Sequence, residues 1–270
     1  MAAVETSREG EFKMKNSFLK QEKTLITPLL MSQTEEDLLI EIRNSIQQGA
    51  NSFGFMIERL PEELRTPEKM KMFFTEMKGL PIYVTCYLRG DIIEETDEDR
   101  AKYLLQALEC GATMADIRGD MFDPCAGELT ADKQAIEKQK RLIDKIHQMG
   151  KEVLISSHIQ YNDKFEFLSQ EEVLTIALEH QMRGADITKI VTNADTDEEL
   201  TENFKTYFAV REKLNIPLLF LCNGKKCLPH RLAGVLIGEP IVFVKEQSYA
   251  SDLRSAQQPI EVMKELLEKF

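Results

Sequence analysis

Short apolar, β-branched runs alternate along the chain with longer stretches in which apolar positions recur every three or four residues. The first pattern predicts strands and the second amphipathic helices. Strands are expected at Thr24–Leu30, Phe53–Ile57, Ile82–Tyr87, Met114–Arg118, Glu152–Ser157, Ile187–Val191, Pro217–Cys222 and Ile241–Val244. Helices are expected at Glu35–Gln48, Thr66–Met77, Asp97–Cys110, Thr130–Met149, Ser169–Met182, Thr196–Leu214, His230–Ile237 and Gln258–Phe270. Local chemistry supports several of these ends. Pro67 suits a first helical turn, Gly111 and Gly150 are C-terminal stops, and Ser169-Gln-Glu-Glu reads as a capping box.

Strict alternation of strand and helix predicts a parallel sheet with right-handed crossovers. Eight such units in 270 residues predict closure into a (β/α)8 TIM barrel, which needs about 250 residues. The competing arrangement is an open, doubly wound sheet. No GxGxxG follows the first strand, so the nucleotide-binding version of that fold lacks its signal. Residues 1–23 read as a short N-terminal extension, and 24–270 as a single barrel domain.

Composition narrows the function. No run approaches the roughly 18 apolar residues of a membrane span. Met1–Lys23 is polar and has no apolar signal-peptide core. A net charge of -12 disfavours sequence-independent nucleic-acid binding, though a single pocket can still be basic. Cys86, Cys110, Cys125, Cys222 and Cys227 form no CxxC pair and no zinc-type spacing. They read as reduced thiols of a cytoplasmic protein. No metal or cofactor is called for.

In a barrel, chemistry gathers at the C-terminal ends of the strands. Lys189 lies inside the β-branched sixth strand, where burial of an ammonium is costly and favours the neutral amine that Schiff-base chemistry needs. The plainer reading is a lysine that snorkels to the rim or pairs with Asp186. His158 ends the fifth strand, where a group that titrates near neutrality can move a proton. Arg231 opens the helix after the seventh strand and suits a carboxylate or phosphate; His230 beside it reads as surface. Asp116 and Arg118 alternate on the fourth strand and share a face, as a lumenal charged layer or as an internal ion pair. Asp91 and Arg89 lie just past the third strand. His147 and His180 fall late in helices, where they complement the dipole.

Taken in order, these segments resemble the type I 3-dehydroquinate dehydratase family from Leu25 to the C-terminus. Leu25-Ile-Thr-Pro-Leu resembles its first-strand motif, and Gly49-Ala-Asn-Ser-Phe-Gly-Phe its second-strand region. Ile155-Ser-Ser-His158 resembles the Ser-x-His motif of the catalytic histidine. Gly184-Ala-Asp-Ile-Thr-Lys189 resembles the motif of the Schiff-base lysine. Arg231-Leu-Ala-Gly resembles the segment whose arginine binds the substrate carboxylate. Ser255-Ala-Gln-Gln258 resembles the loop that closes over the ligand.

The resemblance implies a (β/α)8 lyase without cofactor that acts on a small carboxylated ketone. Lys189 would form an imine with the substrate ketone, and His158 would act as general acid and base. Asp91 falls where the family has a glutamate that orients the histidine. Ser255, Gln258, Arg118 and Tyr87 would face the substrate. The fold class suggests a homodimer.

Departures accompany the match. Gly54-Phe55-Met56 stands in place of Glu-x-Arg on the second strand, Tyr87 in place of an arginine, and Asp116-Ile-Arg118 in place of Asp-x-Glu. Cys227 replaces a glycine, and the Ser255 loop lacks its Pro-Gly turn. These changes keep two alternatives in play: a Schiff-base lyase or aldolase on another hydroxy-ketone, and a barrel that has lost catalysis.

Overall fold

The computed structural model describes residues 16–30, 32–88, 94–161, 164–246 and 256–269. Along the chain, β1 (Leu25–Pro28) leads to α1 (Glu35–Gln48), β2 (Phe53–Met56) to α2 (Pro67–Glu76), and β3 (Ile82–Thr85) to α3 (Asp97–Cys110). Next come β4 (Met114–Arg118), α4 (Lys133–Gln148) and β5 (Glu152–His158). A small antiparallel hairpin of β6 (Gln160–Tyr161) and β7 (Lys164–Phe165) precedes α5 (Gln170–Arg183). The chain continues through β8 (Ile187–Asn193), α6 (Asp197–Arg211), β9 (Leu218–Asn223) and α7 (Leu228–Ile237). It ends with β10 (Ile241–Lys245), β11 (Gln258–Pro259) and α8 (Ile260–Lys269). Two short 3₁₀ turns, Ile57–Arg59 and Glu62–Leu64, follow β2.

The elements form where local physics places them. Thr34, Thr66, Thr96 and Asp132 accept backbone N–H bonds at the starts of α1 to α4. Ser169 with Glu172, and Thr196 with Glu199, close capping boxes on α5 and α6. Several boundaries differ from expectation, two of them for visible reasons, and one hairpin is new. Asp132, not Thr130, caps α4, because its carboxylate reaches the N–H groups of Gln134 and Ala135. Helix α7 begins two residues early, at Leu228, since Pro229 fits its first turn. The hairpin β6–β7 went unpredicted because two-residue strands carry no periodicity.

The described residues fall into two compact units. The first draws on the chain up to Ala115 together with 240–252 and 258–269. Here β1 pairs in parallel with β10, Leu25 opposite Ile241, and β11 joins β10. Strand β2 pairs in parallel with β3, which pairs with the start of β4. Its core includes Phe55, Phe73 and Phe74, with the Phe55 and Phe74 rings edge-on at 5.1 Å. Phe18, ahead of β1, is also buried, and Asn16 accepts a hydrogen bond from Thr113. Gly54 on β2 is filled in by its neighbour: an added Cβ would stand 2.3 Å from Leu29 Cδ2.

The second unit comprises Asp116–Glu239 with the 253–257 segment. Strand β8 lies between β5 and β9, parallel to both. Ser156 is opposite Lys189 and His158 opposite Val191. The end of β4 joins β5 through Gly119 N–H donating to Ser156 O at 2.7 Å. Between helices and strands, Val173, Ala177, Ile190, Tyr207, Val210 and Phe220 form a buried cluster.

Candidate active site

Side chains alternate across a strand, so Ser156 and His158 of β5 share one face, and Lys189, in register with Ser156, joins them. Asp116 of β4 binds Ser156 and Lys189 together. It accepts from Ser156 Oγ at 2.5 Å and from Lys189 Nζ at 3.2 Å. Lys189 is 5% exposed and Asp116 2%. The lysine's carboxylate partner is therefore Asp116. Asp186 instead accepts from Val153 N–H and meets His147 at the surface.

His158 closes the same face from the end of β5. Its Nδ1 lies 2.8 Å from Glu128 Oε2, and its backbone N–H donates to the same oxygen at 2.9 Å. A carboxylate only accepts, so Nδ1 carries a proton, and in the neutral ring Nε2 is the nitrogen left with the lone pair. Burial would push the Glu128 carboxyl up. The charge and hydrogen bonds of His158 outweigh that effect and hold it below the ordinary glutamate range. Glu128 sits in the left-handed region, φ 48°, an uncommon backbone for a residue with a side chain.

Arg118, two residues beyond Asp116, is buried and donates through Nε to Asp120 at 2.9 Å. Burial pushes Asp120 above the usual carboxylate range, against the pull of Arg118. Arg231 reaches back from α7 to the end of β9. Its Nε donates to Cys222 O at 2.7 Å, and one terminal nitrogen donates to Asn223 Oδ1 at 2.8 Å. These bonds fix the plane of the guanidinium beside the strand's carboxyl end.

Tyr87 and Gln258 belong to the first unit, where Tyr87 Oη meets Tyr83 Oη at 3.3 Å and Gln258 pairs with Val244. Asp91 and Ser255 lie outside the described residues. Two histidines differ from expectation. His230 is fully buried rather than at the surface, because α7 turns it onto Phe204 and Phe220 at 5.0 and 5.7 Å. His180 is also fully buried; it lies between Ser157 and Thr188 and does not cap a helix end in solvent.

Glu128 is the functional candidate that the sequence reading passed over. It follows the fourth strand, in the zone that a barrel reserves for chemistry. Nothing local separates it from Asp120 and Asp123 in the same loop. A cavity of about 430 Å³ is lined by its neighbours Gly127 and Leu129 with Ile159, Leu168 and Ile176. Neither Lys189 nor His158 lines that cavity. Among the described residues there is no metal-binding cluster of His, Cys, Asp and Glu, and no helix long and apolar enough to cross a membrane.

A strand-borne lysine against an aspartate, with a carboxylate-held histidine on the next strand, brings together the groups that imine formation and proton transfer use. The family model for type I 3-dehydroquinase matches residues 27–269, and the chain belongs to that family. A 3-dehydroquinate dehydratase from Alkaliphilus oremlandii is 36% identical over 117 residues, 43% of each chain. One from Geobacillus sp. strain WCH70 is 29% identical over 122 residues, 45% of this chain and 46% of its own. The match therefore spans under half the length of these curated relatives. The crystal structure of 3-dehydroquinate dehydratase from Geobacillus kaustophilus superposes with a TM-score of 0.75. It shares 17% identity over 93% of this chain and 92% of that one. The fold class is accordingly the expected α/β TIM barrel.

Proposed function

We propose that this chain is a hydro-lyase that converts 3-dehydroquinate to 3-dehydroshikimate and water through a Schiff base on Lys189. The observation that carries this reading is the buried Lys189–Asp116 contact on the same strand face as His158. Family membership supplies the substrate.

In the proposed reaction Lys189 first passes a proton to Asp116. The free amine adds to the C3 ketone, and the hydroxyl so formed leaves as water with the proton held by Asp116, which gives the iminium. That cation acidifies the adjacent C2–H, and His158 Nε2 removes the proton. The resulting enamine expels the C1 hydroxyl, which leaves as water after taking the proton back from His158. Water then cleaves the conjugated iminium, which releases the product and frees Lys189. Arg231, already planar and fixed by Cys222 and Asn223, is the assigned partner of the substrate carboxylate. All five cysteines are free thiols, which supports a reducing compartment.

Borohydride trapping with 3-dehydroquinate, read by intact mass and peptide mapping, tests the reading. A substrate-sized adduct on Lys189, absent in Lys189→Ala, is the expected result. No adduct on a protein shown to be folded would reject dehydroquinate as the substrate.

A further inference from the structure

The loop that carries Glu128 is held from below by helix α5. Ser157 points to the helix side of β5, opposite His158, and Thr188 does the same on β8 beside Lys189. Ser157 Oγ lies 2.6 Å from Glu128 O and 3.0 Å from His180 Nε2. A carbonyl only accepts, so the serine hydroxyl donates to Glu128 O. His180 Nε2–H must then donate to Ser157. That leaves His180 Nδ1 to accept from Thr188 Oγ1 at 2.8 Å. With the imidazole neutral, every hydrogen in the chain Thr188–His180–Ser157–Glu128 has one direction. Complete burial lowers the His180 pKa to about 3, which keeps the ring neutral at ordinary pH.

The same helix face pins the root of the loop. Arg183, one turn from His180, donates to Gly119 O and Thr130 O, both at 2.7 Å, and to Gln139 Oε1 at 2.9 Å. Gly119 permits this approach, since an added Cβ would stand 2.4 Å from Glu128 O and 3.0 Å from His180 Nε2. Holding Glu128 by its carbonyl, in a left-handed backbone, aims its carboxylate at His158 Nδ1.

We infer that His180 is a positioning residue for His158. It acts through Ser157 and Glu128 to hold the histidine in the tautomer that exposes Nε2. The inference rests on the proposed role of His158 as the base, but the tautomer can be read without turnover. The experiment records ¹⁵N shifts of the His158 ring, and kcat and KM against pH with 3-dehydroquinate. It compares the unmodified chain with His180→Leu, His180→Gln and Ser157→Ala. The unmodified chain is expected to show a single Nδ1–H tautomer. His180→Leu and Ser157→Ala should show a mixture, with kcat lower by about tenfold and KM within twofold. His180→Gln, whose amide can still donate to Ser157, should restore most of both. If Ser157→Ala is folded and keeps the single tautomer and an unchanged kcat profile, the inference is overturned. The same holds if His180→Leu loses only thermal stability. Should no chain turn over dehydroquinate, the tautomer comparison alone still decides this point, and the failure belongs to the substrate assignment.

Discussion

Lys189 and Asp116 illustrate how a buried charge pair constrains its own mutation. Removing one partner strands the other charge in a dry site, at a cost of about 3–5 kcal/mol. Asp116→Ala should therefore show a large loss of stability in urea unfolding, and adding Lys189→Met should recover much of it. An additive double mutant would show that the two charges are not coupled. Glu239 gives the opposite case, a carboxyl kept neutral. Its burial outweighs the attraction of Arg231 and raises its pKa to about 8. The folded state then holds a proton that the unfolded chain releases near the ordinary value of 4.5. The stabilising contribution is full below that value and is lost as pH rises through about 8. Glu239→Gln should flatten the decline on the alkaline side of the stability profile, measured by thermal unfolding from pH 5 to 9. Lys189 and His158 were legible as candidates because each falls on or at the end of a strand. Glu128 was not, because a contact across thirty residues decides its role and no local pattern records it.

At the scale of elements, α5 does more than cover the sheet. Its outer turns are an ordinary amphipathic helix with a capping box, and that much follows from Ser169-Gln-Glu-Glu. Its inner face carries a neutral histidine and an arginine, both buried. Residue spacing alone could not separate that face from a solvated one, since His180 and Arg183 sit near the helix end, where cations suit the dipole. The consequence is a pH signature. His180 titrates at about 3 when folded and near 6.5 when unfolded. Between those values the unfolded chain binds the extra proton, so stability is full above about 6.5 and falls progressively toward pH 3. His180→Gln should remove part of that acid slope. Gly119→Ala tests the loop itself. Overpacking of this kind costs about 1–3 kcal/mol. Here it should also reduce turnover, because the clash falls on Glu128 O.

Across the whole molecule, the alternation of strands and helices was readable because each strand is a short apolar run and each helix brings its own caps and stops. The family followed from motifs in order. What the alternation did not reveal is which polar residues are satisfied internally. The negative surface, at a net charge of -12, hides an interior with lysine, arginine, aspartate and histidine at Lys189, Arg183, Asp116 and His180. Three buried titrating groups frame the stability of the chain. The buried histidines His180 and His230, depressed to about 3 and about 4, weaken it in acid. Glu239 weakens it as pH rises from about 4.5 toward about 8. A stability maximum between about pH 6 and 7 is the expected outcome of a thermal-unfolding series across pH.

The Leu29 side chain over Gly54 bears on which residues the second strand can take up. A side chain introduced at position 54 would place its first carbon where Leu29 Cδ2 now lies, so the leucine must turn its free end aside to admit it. A library of substitutions at position 54 built on Leu29→Ala should therefore contain more well-folded members than the same library built on the unmodified chain. The tip of one leucine thus sets how readily this position trades its glycine for a side chain.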